Sequence, residues 1–171
     1  MKKIIVALLF LSISVFSQSK CDSIVMTTVD YPAVIVNVDS ALAKDLFNKT
    51  KSWINRYFKN PEKVIIVAED NVYLRLSGLD EFSFQFMGTA TYSLNYDCEI
   101  SFKDSKYKIQ FINVMSKELK PQSYPAGFFN ENGEMKGIKK INLKMQKGVL
   151  KTLNRIHFEL YNSILKPAEG W

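Results

Sequence analysis

The 171 residues carry a formal net charge of +6, and 47% of them are hydrophobic while 13% are aromatic. This composition is typical of one globular domain with a packed core, and it excludes disordered, low-complexity and collagen-like classes. The single histidine and the two cysteines do not form the cluster that a structural zinc site needs, so we expect neither a metal nor a cofactor.

The chain begins with the pattern of an exported protein. Lys2 and Lys3 form a basic n-region, residues 4–15 form an apolar h-region, and small residues suited to signal peptidase cleavage follow. The apolar stretch is too short to span a bilayer, and no later segment approaches about 20 apolar residues. We therefore expect a signal peptide at 1–17 and a mature chain at 18–171 that forms a single domain, lacks a transmembrane span and lies in the periplasmic or extracellular space.

Removal of the two n-region lysines lowers the net charge from +6 to +4. A mildly basic exported protein does not meet chromosomal DNA, so we do not expect a nucleic-acid partner. Anionic lipid, polysaccharide or an acidic protein is the kind of partner that such a charge attracts.

Two short β-like runs, at 24–29 and 33–38, precede a predicted helix. Asp39 or Ser40 is the expected N-cap, and the helix should end just before Pro61, because the residue before a proline disfavours helical backbone. The apolar residues of this helix recur at helical spacing: Leu42, Leu46, Trp53, Ile54, Tyr57 and Phe58.

Residues 63–114 show the apolar–polar alternation of an antiparallel meander, with a turn at 69–71 and a break at 78–80. The alternation is clearest over residues 91–102, and a hairpin loop at 103–106 follows that segment. One face of that segment is apolar: Tyr92, Leu94, Tyr96, Cys98, Ile100 and Phe102.

After an irregular stretch at 116–137, apolar residues step by three or four along the chain, which predicts a basic amphipathic helix at about 138–166. Gly148 leaves open whether this helix is one piece or is kinked. A sheet with one apolar face needs a cover, and the two helices provide it. We therefore predict an α+β fold: a curved antiparallel β-sheet of about four to six strands, with the long helix and the C-terminal helix packed on one face.

The order and spacing of several segments resemble a known family. The segments are Ala43–Phe47, Ser52–Ile54, Tyr57–Phe58, Val64–Ile65, Glu69–Asp70, Ile100–Lys108 and Phe111–Val114. They resemble, over about residues 34–118, the exported bacterial domains called domain of unknown function 4468, which are described as having a TBP-like fold. The resemblance implies the fold and export. It implies no activity, because none is assigned to the family, and the fold label does not imply DNA binding.

The two cysteines allow two interpretations. Cys21 and Cys98 can form a disulfide in an oxidising compartment. Alternation over residues 91–102 instead places Cys98 on the apolar face, where a free cysteine acts as a small buried hydrophobic residue. The sequence leaves both open.

The polar face of the sheet is the first candidate binding surface, since mixed polar and aromatic groups suit peptide or sugar contacts. Its predicted members are Tyr73, Arg75, Gln85, Asn95, Glu99, Lys108 and Gln110. The second candidate is the basic side of the C-terminal helix, which has the pattern of a membrane- or partner-docking helix. Its predicted members are Lys140, Lys144, Lys147, Lys151 and Arg155. Each surface has a simpler alternative, namely a solvated face without a ligand.

Catalytic patterns are weak. His157 lies beside the apolar stripe of the last helix, and Asp97 and Glu99 are neighbours on a wet strand face rather than a recognisable catalytic pair. We therefore expect a non-enzymatic accessory or binding domain of the cell envelope, whose partner is an envelope protein, a peptide or a glycan. The alternatives are a peripheral membrane or partner-docking protein that uses the basic helix, and an enzyme.

Overall fold

Eight elements follow one another in the computed structural model, which describes residues 21–25, 32–116 and 139–166. In chain order they are β1 (Ala33–Asn37), α1 (Ala43–Tyr57), α2 (Pro61–Val64), β2 (Ile65–Glu69), β3 (Tyr73–Gln85), β4 (Thr89–Lys103), β5 (Lys106–Met115) and α3 (Lys139–Leu165). The predicted signal peptide, most of the first β-like run and nearly all of the irregular stretch lie outside the described residues.

The strands form one five-stranded sheet in the order β1-β5-β4-β3-β2, and every neighbouring pair is antiparallel. The predicted α+β class and the predicted strand number are therefore confirmed. The hairpin loop after β4 is also where the sequence placed it, since Lys103 pairs with Lys106 across a tight turn in which Ser105 has a positive φ of 62°.

Alternation in β4 assigns its two faces as predicted. Leu94, Tyr96, Cys98, Ile100 and Phe102 are all at most 4% exposed. Their polar neighbours point to the opposite side. Tyr92, nearer the β3–β4 turn, is only half-buried, and it stacks on Phe82 and Phe84 of β3.

Both long helices pack on the apolar face of the sheet. In α1, Trp53 is 4% exposed, and Phe47 makes an edge-to-face contact with Phe102 of β4. In α3, the predicted stripe is buried from Met145 onward, and its remaining members are Val149, Leu153, Ile156, Leu160 and Ile164. Ile141, one turn earlier, is half-buried.

The helix α3 is continuous through Gly148, so the glycine marks no break. A Cβ built on Gly148 would lie 2.6 Å from the backbone carbonyl oxygen of Ser83 in β3. The glycine is therefore present because α3 approaches the backbone of β3 too closely for any side chain.

The predicted break at 78–80 is wrong, because β3 runs without interruption through it. The ring of Tyr96 occupies the space where a Gly78 side chain would be. Asp80, an acid on the helix-facing side, is compensated by Arg155 of α3 and by the Tyr57 hydroxyl of α1. Residues 78–80 have the local sequence of a turn, but contacts with residues distant in sequence stabilise them in a strand.

The start of α1 also differs from the prediction. The helix begins at Ala43, and neither Asp39 nor Ser40 caps it. The Ala43 amide instead donates to Oδ1 of Asp104 in the β4–β5 turn, at 2.9 Å. The same turn hydrogen-bonds the chain before the helix, since the Ser105 amide donates to the Ala41 carbonyl at 2.7 Å. A carboxylate at a helix N-terminus satisfies a free amide and complements the helix dipole.

Two further boundaries shift. The helix α1 ends at Tyr57 rather than next to Pro61, and the short helix α2 takes up the beginning of the strand predicted from Lys63. Of the first β-like run, only Ile24 and Val25 are described, and they belong to a segment, Cys21–Val25, that is not a strand. It packs on α3, where the Asn154 side chain binds both the amide and the carbonyl of Ile24 at 2.7 and 3.0 Å.

Candidate functional site

The face of the sheet opposite the helices carries the candidate site, and no described helix packs on it. The three central strands place their side chains there in register: Arg75 of β3 lies opposite Glu99 of β4, which in turn lies opposite Gln110 of β5. We call this surface the open face. All seven predicted residues lie on it, because alternation in β3, β4 and β5 sends their apolar neighbours to the helices.

A network of hydrogen bonds fixes the centre of the open face. Arg75 Nη2 donates to Asp97 Oδ2 at 2.8 Å, and Arg75 Nη1 lies 3.9 Å from Glu99 Oε1. The Tyr73 hydroxyl donates to Glu99 Oε1 at 2.8 Å. Asn113 Nδ2 donates to Asp97 Oδ2, also at 2.8 Å. Asp97 is therefore the hub that joins all three central strands.

Asn113 reaches this network because of an irregularity in β5. The β4–β5 register shifts between Asn95 and Asp97, and Asn113 there adopts a positive φ of 51°. Such a bulge re-aims a side chain at the cost of one ladder position. Its signal in the sequence is the loss of alternation after Phe111, since the next buried residue is Val114. Neither Asn113 nor Asp97 was among the predicted members of the open face.

The network also sets the protonation of its members. Burial and the hydrogen bond to Glu99 raise the pKa of Tyr73 to about 12. Burial by itself would raise the pKa of Asp97, but hydrogen bonds from Arg75, Asn113 and Ser77 outweigh it and hold that pKa below its ordinary value. At neutral pH the open face therefore has a protonated tyrosine, an ionised aspartate and a charged arginine in fixed positions.

Two predicted members lie apart from the network. Gln85 is ten residues beyond Arg75 on the same strand, or about 30 Å away, and it donates to the Thr89 hydroxyl at the β3–β4 turn. Lys108 is opposite Ser101 of β4 and Ile35 of β1, toward the other end of the face. Asn95 is closer to the network, and its buried Nδ2 has no acceptor among the described residues.

Both cysteines are free thiols in the structure, so the disulfide that the sequence left open is not formed. Cys98 is fully buried. Cys21 Sγ lies 3.1 Å from Nε2 of His157, which is also 3.1 Å from the Asp22 carbonyl oxygen. Burial, with a contribution from the Asp22 carboxylate, raises the pKa of Cys21 to about 11, and burial lowers that of His157. A protonated thiol beside a neutral imidazole is not an activated nucleophile.

The basic side of α3 divides into two groups. Lys144, Lys147 and Lys151 are exposed. Arg155 is also exposed, but it binds Asp80 and donates to the Tyr57 hydroxyl at 3.0 Å, so it joins α3 to β3 and α1. The side chain of Lys140, the fifth predicted member, lies outside the described residues.

The described residues show neither a membrane-spanning helix nor a cluster of potential metal ligands. Among the helices in this part of the chain, none combines the length and the apolar character needed to cross a bilayer. Nor do three or more His, Cys, Asp or Glu side chains come together there as potential metal ligands.

Comparison with known proteins agrees with this architecture. A model of the family "Domain of unknown function (DUF4468) with TBP-like fold" matches residues 33–116, which begin with β1 and end just after β5. The chain contains a DUF4468 domain. The match confirms the resemblance seen in the sequence, and it covers the five strands and α1 but not α3.

Two crystal structures are similar to this DUF4468 protein. A DUF4468 family protein from Bacteroides ovatus ATCC 8483 superposes with a TM-score of 0.63 at 8% identity, covering 84% of this chain and 94% of that one. A TBP-like protein from Parabacteroides distasonis ATCC 8503 gives a TM-score of 0.60 at 12% identity, covering 80% and 92%. A search of curated proteins gave no significant match. At these identities the likeness is one of fold alone.

Proposed function

We propose that this DUF4468 protein is an exported, non-enzymatic accessory or binding domain of the cell envelope, and that it binds its partner on the open face. The observation that carries the proposal is the hydrogen-bond network centred on Asp97. It holds Tyr73 and Arg75 in fixed positions on a face that no described helix covers. Side chains ordered before binding lose little entropy when a ligand arrives, which is a property of binding surfaces.

The electrostatics of the same residues favour binding over catalysis. A glycosidase needs one carboxylic acid with a raised pKa, which donates a proton to the leaving group. Burial by itself would raise the pKa of Asp97. Hydrogen bonds from Arg75, Asn113 and Ser77 outweigh burial, so the pKa of Asp97 is lowered instead. The Cys21–His157 contact is equally unsuited to nucleophilic attack, because the thiol holds its proton.

Export is supported by the sequence. The basic n-region, the apolar residues 4–15 and the small residues before Gln18 make up the three parts of a signal peptide. Mature protein from the native host should therefore begin at Gln18 or within a few residues of it. Mass spectrometry of the N-terminal peptide tests this, and an intact Met1 on protein retained in the cytoplasm would contradict export.

Binding on the open face is tested by retention of envelope components. Mature protein is immobilised and exposed to an envelope extract, to a peptide array and to a glycan array. Arg75→Gln removes the central charge, whereas Arg56→Gln makes the same change on the exposed side of α1. We expect Arg75→Gln to weaken retention at least tenfold and Arg56→Gln to leave it unchanged, with circular dichroism showing that both variants fold.

Three results would decide against the proposal. Equal retention by the two arginine variants would remove the open face from consideration. Retention that depends on Lys144, Lys147 and Lys151 would favour docking through α3 instead. Turnover of a substrate that is abolished by Asp97→Asn or His157→Gln, in a folded protein, would show an enzyme.

A further inference from the structure

A depression of about 230 Å³ lies on the open face at its β1–β5–β4 end, next to the Arg75 network, since its lining residue Ser101 pairs with Tyr73. Its lining includes Lys103, Lys106 and Lys108 together with Ser101 and the side chain of Ile35, which is 60% exposed. Strand register explains why they meet. Lys103 pairs with Lys106, and Ser101 pairs with Lys108, which pairs in turn with Ile35. Directly paired residues point to the same side of a sheet.

The charge of this lysine cluster is not neutralised within the described part of the chain, where no carboxylate lies within 4.0 Å of its three ammonium groups. The turn that joins β4 and β5 does contain an acid, Asp104. Its Oδ1, however, accepts the Ala43 amide at the start of α1. The fold thus directs the acid of the hairpin turn toward the helices and leaves the three lysines on the open face, where the nearest acid in β4, Glu99, accepts the Tyr73 hydroxyl instead.

We propose that this depression binds a uronic acid residue of an acidic polysaccharide. The three ammonium groups attract the carboxylate, the Ser101 hydroxyl is positioned to bond a sugar hydroxyl, and Ile35 offers apolar contact to the sugar ring. The volume is below the range of about 300 Å³ upward at which pockets for drug-sized ligands begin, so it suits a single sugar residue. The inference rests on the proposed function and names the ligand class for its open face.

The choice of a glycan over an acidic peptide follows from the location. Peptides that bind sheets usually add as a strand along an edge, where main-chain hydrogen bonds provide the affinity. The lysine cluster lies on a face, and there the main-chain groups of β4 and β5 are already paired with each other. Recognition on a face depends on side chains alone, which favours a ligand that brings its own carboxylates and hydroxyls.

Titration calorimetry of the full mature protein tests the inference with a galacturonic acid hexamer, a neutral galactose hexamer and a glutamate hexapeptide of equal charge. We expect the uronic acid hexamer to bind most tightly, and its affinity to fall severalfold between about 50 and about 300 mM salt as the charges are screened. Changing Lys103, Lys106 and Lys108 together to Gln should weaken that binding at least tenfold. The matched control changes three exposed lysines elsewhere to Gln, namely Lys44, Lys59 and Lys147, and should bind like the wild type.

Each other result overturns the inference. Equal binding by the two triple variants would mean that net charge, not this depression, attracts the hexamer. Equal or tighter binding of the neutral hexamer or the glutamate peptide would reject the uronic acid class, and no binding at low salt would reject the site. The Arg75→Gln variant separates this from the proposed function: envelope retention that depends on Arg75 but not on the three lysines leaves the open face as a binding surface with a different ligand.

Discussion

The imidazole of His157 is buried and uncharged. The side chain is 0% exposed, and Nε2 lies 3.1 Å from the Asp22 carbonyl oxygen. A carbonyl only accepts hydrogen bonds, so Nε2 carries the proton of the neutral ring. Nδ1 is buried and has no hydrogen-bond partner among the described residues. A second proton on this ring would therefore be unsolvated.

This arrangement predicts a loss of stability in weak acid. Burial lowers the pKa of His157 in the folded state, whereas the unfolded histidine titrates near its ordinary value of about 6.5. Below that value the unfolded chain binds the proton more readily, so the free energy of unfolding falls as the pH falls. The slope for one proton is at most about 1.4 kcal/mol per pH unit. Urea titrations of the wild type and of His157→Gln between about pH 5 and 7.5 check this, and parallel profiles for the two proteins would contradict it.

At the scale of elements, the contact between α3 and β3 determines how closely the C-terminal helix approaches the sheet. Gly148 allows the backbones to meet, and the Thr152 hydroxyl donates to the Glu81 carbonyl of β3 at 2.9 Å one turn later. The two features lie on the same side of α3. They fix the helix close to β3, where the buried Phe82 ring lies next to Gly148.

Replacement of Gly148 by alanine is expected to destabilise the protein, although alanine is the better helix former. The gain in helix propensity is about 1 kcal/mol. The new Cβ, however, would lie 2.6 Å from the Ser83 carbonyl oxygen, which belongs to the backbone of a central strand. Overpacking of this kind costs about 1–3 kcal/mol, so the net change should be a loss. Urea denaturation measures it, with Lys151→Ala on the exposed side of α3 as a control that should change little. A more stable Gly148→Ala protein would show that α3 has room to move.

Elements with a clear period were predictable from the sequence. Period-two alternation in β4 and the helical stripe of α3 each extend over many residues and depend only on local sequence. Features set by distant partners were not. The continuity of β3 depends on the Tyr96 ring and on Arg155, and the cap of α1 comes from Asp104, 61 residues after the amide that it binds.

The candidate site, too, was predictable only where it depends on local sequence. Alternation was enough to place Tyr73, Arg75 and Glu99 on one face. It did not show that Asp97 is the hub, because that depends on a diagonal contact from Arg75 and on the bulge that turns Asn113 toward Asp97. The lysine cluster was not predicted either. Read along the chain, two of its lysines are the ends of a hairpin loop, and only the pairing of β5 with both β1 and β4 brings the cluster together.

At the scale of the whole molecule, the apolar stripes of both long helices are used for the core. The sheet has one apolar face, and α1 and α3 lie side by side on it, joined by the bond from Arg56 Nη2 to the Ser163 hydroxyl at 2.7 Å. The stripe of α3 from Met145 to Ile164 is therefore covered by protein. An interfacial membrane helix needs such a stripe to be free for insertion among lipids.

Burial of the α3 stripe predicts how the protein interacts with membranes. With the stripe buried, α3 offers a bilayer its exposed lysines, each of which contributes about 1 kcal/mol toward an anionic surface, and only two separate exposed leucines, Leu143 and Leu165. We expect the mature protein to sediment weakly with phosphatidylglycerol-containing vesicles at low salt and not at about 150 mM salt, where screening acts within about 8 Å. Changing Lys144, Lys147 and Lys151 to Gln should abolish the weak binding, and neutral vesicles should show none. Binding that persists at high salt would require apolar insertion. Because α3 has its apolar residues in the core, insertion would first have to separate the helix from the sheet, and vesicle binding would then be accompanied by exposure of Trp53 and a change in its fluorescence.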